Sequence, residues 1–213
     1  MQVIKYNGYW IASDVYLTQD KRDENARLIW AYLTGLGWTE TAVAGILGNM
    51  DVESSINPAL IEGRGYHTLP DNNTVLAIST ATGVGLVQWT GTTPTPPAGQ
   101  KLASFAIRYN KNWYDGELQC FRLERECAEN LQFEPGTVDG VYYDWQTYIS
   151  STESAEQLAK VWQSRYERGG SDTPTRQEKA KYYYAICAGP PIPVLLKMFN
   201  NDKRRLRRRC ITM

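Results

Sequence analysis

The stretch from Asp23 to Pro58 constrains this chain more than any other, because it encodes two helices in immediate succession that end in a turn. Between Asp23 and Leu36 the apolar residues Ala26, Ile29, Trp30 and Leu33 recur at helical spacing, and Gly37 closes the run as a C-cap residue. A second helix starts behind Thr39 or Thr41 and carries Val43, Ile46, Leu47 and Met50. It is apolar until it reaches Asp51-Val52-Glu53-Ser54-Ser55-Ile56-Asn57-Pro58. Glu53 therefore falls where an apolar helix gives way to a turn, a place where a carboxyl can sit half-buried.

Beyond this pair the pattern changes. Residues 57–90 read as turns and short extended pieces, with Pro70-Asp71-Asn72-Asn73-Thr74 as a turn between strands, so a small β-rich lobe inserted between helices is expected. Further helices are predicted around 99–109, from Glu117 to Asn130, from Ser154 to Arg168 and from Arg176 to Cys187. The expected fold is α+β, mainly helical with a small inserted β lobe. Residues 1–13 read as a hairpin turning at Asn7-Gly8, a pair that tolerates positive φ. A chain of 213 residues has room for one compact domain with appendages. The predicted division is a hairpin appendage at 1–22, a catalytic body at 23–187, and a Pro-rich linker with a basic tail at 188–213.

The formal net charge of zero hides an asymmetry: the residues from Pro190 onward carry +6, and the rest −6. Docking on an acidic partner suits that tail, whereas nucleic acid is disfavoured because no aromatic residues interleave the basic ones. The four cysteines form no CxxC pair and have no neighbouring histidine cluster, so they are expected mostly free and buried. The one histidine, His67, has no partner at metal spacing and reads as a loop residue. No metal or cofactor is implied, and amidase or endopeptidase chemistry lacks its constellation. No apolar run of about 18 residues suggests a membrane span, and the N-terminal residues do not resemble a cleavable leader.

Acid catalysis of glycoside cleavage needs one carboxyl kept protonated near neutral pH, and Glu53 is placed for it. A second segment, Gly83-Val84-Gly85-Leu86-Val87-Gln88-Trp89-Thr90, supplies complementary groups. Gly85 allows close backbone approach to a ligand, Gln88 offers a donor and an acceptor to sugar hydroxyl or acetamide groups, and Trp89 gives a flat face for stacking. Tyr166, in the Tyr166-Glu167-Arg168 run, reads either as a substrate-binding residue or as core with a bonded hydroxyl. Glu167 and Arg168 read as a structural ion pair. Asp51, Glu62 and Asp71 are the candidates for a second carboxylate. Attack by water or by the sugar's own acetamido or hydroxyl group stays open beside them.

Three ordered segments, from Asn25 to Pro58, from Gly83 to Thr90 and from Ser154 to Gly170, resemble the phage tail lysozyme family. Its members are lysozyme-like domains of tail-knob proteins from short-tailed phages that infect Gram-positive bacteria. The resemblance covers roughly residues 15–187. It implies that Glu53 is the catalytic acid of a peptidoglycan glycosidase cleaving between MurNAc and GlcNAc. It also implies that Gly85 to Trp89 line the cleft, comparable to the Gly-Leu-Met-Gln segment of goose-type lysozymes and lytic transglycosylases. The expected setting is the virion, at a phage tail tip acting on the host wall, with other tail proteins as partners through the basic tail. Two departures stand out: Gly169-Gly170 replaces the proline common after Tyr-Glu-Arg, and Asp51 stands where a neutral polar residue is usual.

Overall fold

The computed structural model describes residues 3–6, 9–63, 68–78, 82–90, 102–129, 131–169 and 171–189. Its organising element is α2 (Glu40–Ser54), which packs against α1 (Gln19–Thr34), α6 (Trp145–Ser150), α7 (Ala155–Trp162) and α8 (Thr173–Cys187). Every residue from Ala42 to Asp51 is buried, as an all-round apolar helix requires. Two glycines let its neighbours close in. A Cβ on Gly45 would lie 2.8 Å from the Leu158 carbonyl carbon of α7, and one on Gly48 would lie 2.4 Å from the Arg176 carbonyl oxygen of α8. Thr39 caps α2 by accepting from the Ala42 N–H, so the helix starts behind the first of the two expected threonines.

The hairpin is present as β1 (Val3–Tyr6) against β2 (Trp10–Ser13), with Tyr6 opposite Trp10. The expected Asn7-Gly8 turn lies outside the described residues. All of β2 is buried. Asn25 of α1 accepts from the Ile11 N–H and donates to the carbonyls of Ile11 and Ile56, tying the hairpin, α1 and the turn after α2 together. The strand expected in an appendage is thus joined to the body by buried hydrogen bonds.

The segment 57–90 differs from its prediction in one respect. Asp71 does not sit in a turn between strands but caps α3 (Asn72–Leu76), its side chain accepting from Thr74 N–H. Extended pairing in that segment is confined, among the described residues, to the bridges Ile61 with Val84 and Val84 with Trp89. Then come α4 (Leu102–Arg108) and α5 (Gly116–Ala128). A second hairpin, β3 (Gly136–Val138) with β4 (Val141–Tyr143), and the short α6 follow, none of which the periodicity predicts. The predicted helix from Ser154 to Arg168 is two pieces, α7 and a π-helical turn at Gln163–Glu167.

The aromatic load serves the core. Six of the seven tryptophans are buried, Trp89 being the exception. Trp38, Phe133, Trp145, Tyr148, Trp162 and Tyr166 pack ring on ring, with Trp162 and Tyr166 stacked at 4.2 Å. Cys120 and Cys127 are free and buried and Cys187 is free and partly buried, whereas Cys210 lies outside the described residues.

Candidate active site

Glu53 owes its position to the way α2 stops. Ser55 and Ile56 both adopt φ of 50°, and a β-branched residue in the left-handed region is strained. The neighbouring polar side chains hold the turn. Ser54 Oγ donates to the Leu86 carbonyl at 2.8 Å, which draws the Gly83–Trp89 segment to this end of the helix. Asn57 accepts from Ser13 N–H and donates to the carbonyls of Ser13 and Val15. Within this frame the Glu53 side chain keeps 23% of its surface exposed.

Arg176, buried on α8, reaches Glu53. Its Nη2 lies 2.6 Å from Glu53 Oε1, its Nη1 donates to Asn49 Oδ1 at 2.9 Å, and its Nε donates to Asp172 Oδ1 at 3.0 Å. The Asn49 amide is itself fixed by donating to the carbonyls of Gly45 and Ala159. The close approach at Gly48 sets α8 at the depth where this guanidinium meets α2.

Glu167 stands at the end of the π turn and accepts from Trp162 Nε1 at 3.1 Å. Removal of water from its carboxyl, reinforced by the nearby Glu53 charge, pushes its pKa from the ordinary 4.5 up to about 8. The Trp162 bond and the charges of Arg176 and Arg168 oppose that rise without cancelling it. Near neutral pH this carboxyl is therefore mostly protonated, while Glu53 lies in an ion pair. The expected Glu167–Arg168 ion pair does not form: Arg168 turns outward to Glu134 at 2.5 Å. The reason lies in the extra residue of the π turn, which swings Glu167 inward, with Arg168 at φ 58° ending the turn.

The other predicted residues lie in a second polar cluster. Gly85 has φ of 81°, and a Cβ there would lie 2.7 Å from Gln119 Oε1, so protein packing already demands glycine. Gln119 ties the segment down, accepting from Leu86 N–H and donating to the carbonyls of Pro58 and Trp113. The Gln88 amide folds back to donate to the Gly85 carbonyl at 2.7 Å. Trp89 Nε1 donates to Glu126 Oε2 at 2.8 Å and Tyr166 Oη donates to the same oxygen at 3.1 Å. Tyr166 is 1% exposed, the core outcome of its two readings. Glu126, which joins Trp89 to Tyr166, was not expected; its signal was the Arg122/Glu126 pair at i,i+4 spacing.

The three candidate second carboxylates have other partners. Asp51 is buried, pairs with Arg22 at 2.8 Å and accepts from the Tyr183 hydroxyl. Glu62 accepts from Gly83 N–H at 3.0 Å, and Asp71 caps α3. His67 lies outside the described residues. Among the described residues no group of three or more His, Cys, Asp or Glu could hold a metal ion, and no helix is long and apolar enough to cross a membrane.

A mainly helical α+β body with a carboxyl at the end of its central helix is consistent with a lysozyme-like protein, the class to which the family match assigns it. The chain belongs to the phage tail lysozyme family, whose sequence model matches residues 24–187, and is thus a lysozyme-like component of a bacteriophage virion. It is similar to "Morphogenesis protein 1" of Bacillus phage B103, 31% identical over 179 residues, or 84% of this chain and 43% of that protein. The chain spans less than half the length of that relative.

Proposed function

We propose that this protein cleaves the MurNAc–GlcNAc glycan strand of bacterial peptidoglycan during host entry, with Glu53 as general acid and without a metal or cofactor. The observation that supports it is a pair of carboxyls near one arginine: Glu53, reaching water, in an ion pair with Arg176, and Glu167, mostly protonated near neutral pH. In the resting site the proton resides on Glu167. A glycan seated over Glu53 would bring its glycosidic oxygen to the carboxyl that is proposed to protonate it. The segment from Gly85 to Trp89 lines the cleft in this reading, with Gln88 and Trp89 toward the sugar. Water, or the sugar's own acetamido or hydroxyl group, completes the reaction.

One observation favours a second reading. The 2.6 Å ion pair with Arg176 suits a Glu53 that braces α2 against α8, as in a structural tail-tip protein that keeps the lysozyme fold without cutting. Zymography and mass spectrometry of fragments released from purified walls separate the two, and reducing or anhydro ends report hydrolysis or transglycosylation. Glu53→Gln is expected to lower cleavage by about 10²–10⁴-fold, with an unchanged circular dichroism spectrum. Undiminished cleavage by that variant would overturn the assignment, and an inactive wild type would favour the structural reading.

The division into a 1–22 hairpin, a 23–187 catalytic body and a 188–213 linker with basic tail belongs to the same proposal. The tail docks on another tail protein at the tail tip. Deletion after Gly189 is expected to reduce incorporation into particles, and unchanged incorporation would dispose of the docking role.

A further inference from the structure

The carboxylate of Glu126 is a meeting point for three separate parts of the chain. Glu126 lies on α5 and is buried. Its Oε1 faces Arg122, whose Nε and Nη2 lie at 2.8 and 2.7 Å. Its Oε2 accepts from Trp89 Nε1 at 2.8 Å and from Tyr166 Oη at 3.1 Å, and so reaches the end of the Gly83–Trp89 segment and the π turn. The Arg122 guanidinium also lies over the Trp89 ring, 5.1 Å from its centroid. Trp89 is thus held by its N–H at the edge and by a cation over the ring, yet it is the one tryptophan of seven that is not buried.

We propose that Glu126 is a positioning residue for glycan binding: it holds the Trp89 indole at one angle, so that the accessible part of the ring forms a stacking platform for a sugar. The sugar step rests on the proposed function, whereas the hold on the indole does not. A ring fixed before the ligand arrives loses no further rotational freedom on binding. Only a carboxylate can make this hold. The indole N–H and the guanidinium N–H groups all donate, so the group between them must accept on both sides. A glutamine has a single accepting oxygen, and the charged arginine keeps it because the charge-assisted bond is the stronger. The amide NH2 is then left facing Trp89 and Tyr166. The tyrosine hydroxyl can turn to accept from it, but the indole cannot. Glu126→Gln therefore releases Trp89 while leaving the contact with Arg122 in place.

The test uses the full chain in the Glu53→Gln background, so that turnover plays no part. The first readout is hydrogen exchange at Trp89 Nε1, whose NMR signal is identified by its loss in Trp89→Phe. Exchange is expected to be at least about tenfold slower than in the unfolded chain, with and without a soluble MurNAc–GlcNAc fragment. Exchange at the unfolded rate, or protection lost when the fragment binds, would show a ring free of Glu126 and overturn the proposal, even if Glu126→Gln fails to fold. The second readout is the Kd for that fragment. Trp89→Phe and Glu126→Gln are each expected to weaken binding by about five- to tenfold, and the double variant to bind no more weakly than the weaker single one. Undiminished binding by Glu126→Gln, or effects that multiply in the double variant, would show that Glu126 does not act through Trp89 and would refute this role alone. A parent that binds no fragment would refute the proposed function and this role with it.

Discussion

Two of the three segments that carry the resemblance, the end of α2 and Gly83–Trp89, are both bound in place by buried hydrogen bonds, yet they use their polar side chains in opposite ways. At the end of α2 the framework residues Asn25, Asn49, Ser54 and Asn57 satisfy backbone groups, and Glu53 projects from them with 23% of its surface exposed. Along Gly83–Trp89 the would-be binding groups are part of the framework: the Gln88 amide bonds its own loop and the Trp89 N–H bonds Glu126. One segment separates support from chemistry, and the other merges them. A substitution should therefore divide cleanly into structural and chemical effects at the first segment and mix them at the second.

The largest expected effect lies in the support of Glu53. In Gly48→Ala the new Cβ meets backbone, 2.4 Å from the Arg176 carbonyl oxygen and 2.7 Å from the Ala180 N, so no rotamer change relieves it. Overpacking against backbone should lower unfolding stability by about 3 kcal/mol, measured by urea denaturation. It should also push the Arg176 guanidinium off Glu53 and shift the pH profile of any cleavage. A stability loss with an unchanged profile would mean that the α2–α8 spacing does not set the Glu53 contact.

Next in size is the pH behaviour of Glu167. Its folded pKa of about 8 lies above the ordinary 4.5, so the unfolded chain releases this proton first as pH rises. Stability linked to this group is fully present below about pH 4.5 and is lost progressively as pH rises toward 8. Glu167→Gln mimics the protonated form and should flatten that decline by on the order of 1–3 kcal/mol, after allowance for partial exposure. Urea midpoints at pH 5, 6.5 and 8 measure it. Parallel pH curves for the two proteins would show that Glu167 is not the neutral member of the pair.

What was legible in the sequence follows from which forces act locally. The helices around Ile29, Leu47 and Leu158 announce themselves by periodicity, because each needs an apolar face against the core. The turn after Glu53 shows in Ser54, Ser55 and Asn57, whose side chains bond nearby backbone. The β3–β4 hairpin had a readable signal in Val138-Asp139-Gly140-Val141, and Asp139 and Gly140 take φ of 51° and 84° as that pair favours. Glu167 was not legible as a partner for Glu53. Its inward direction depends on one extra residue in a π turn, and the Glu134 that draws Arg168 away comes from a distant part of the chain. Glu126 escaped for the same reason, since its roles are set by Trp89 and Tyr166, both far from it in sequence.

The smallest expected effect tests the merged segment. Gln88 has φ of 50°, and its side chain packs so closely over Gly83 that a Cβ there would meet Gln88 Oε1 at 2.7 Å. Its amide nitrogen donates to the Gly85 carbonyl, so a ligand can engage this side chain only through its remaining oxygen or after it unfolds from the loop. Gln88→Ala should lower stability by about 1 kcal/mol, the net value of one hydrogen bond, and should raise KM for a soluble glycan fragment by less than about threefold. A loss confined to KM, with urea midpoint unchanged, would show that the side chain leaves its loop to meet the sugar. The segment would then present chemistry in the way Glu53 does, and the contrast between the two would disappear.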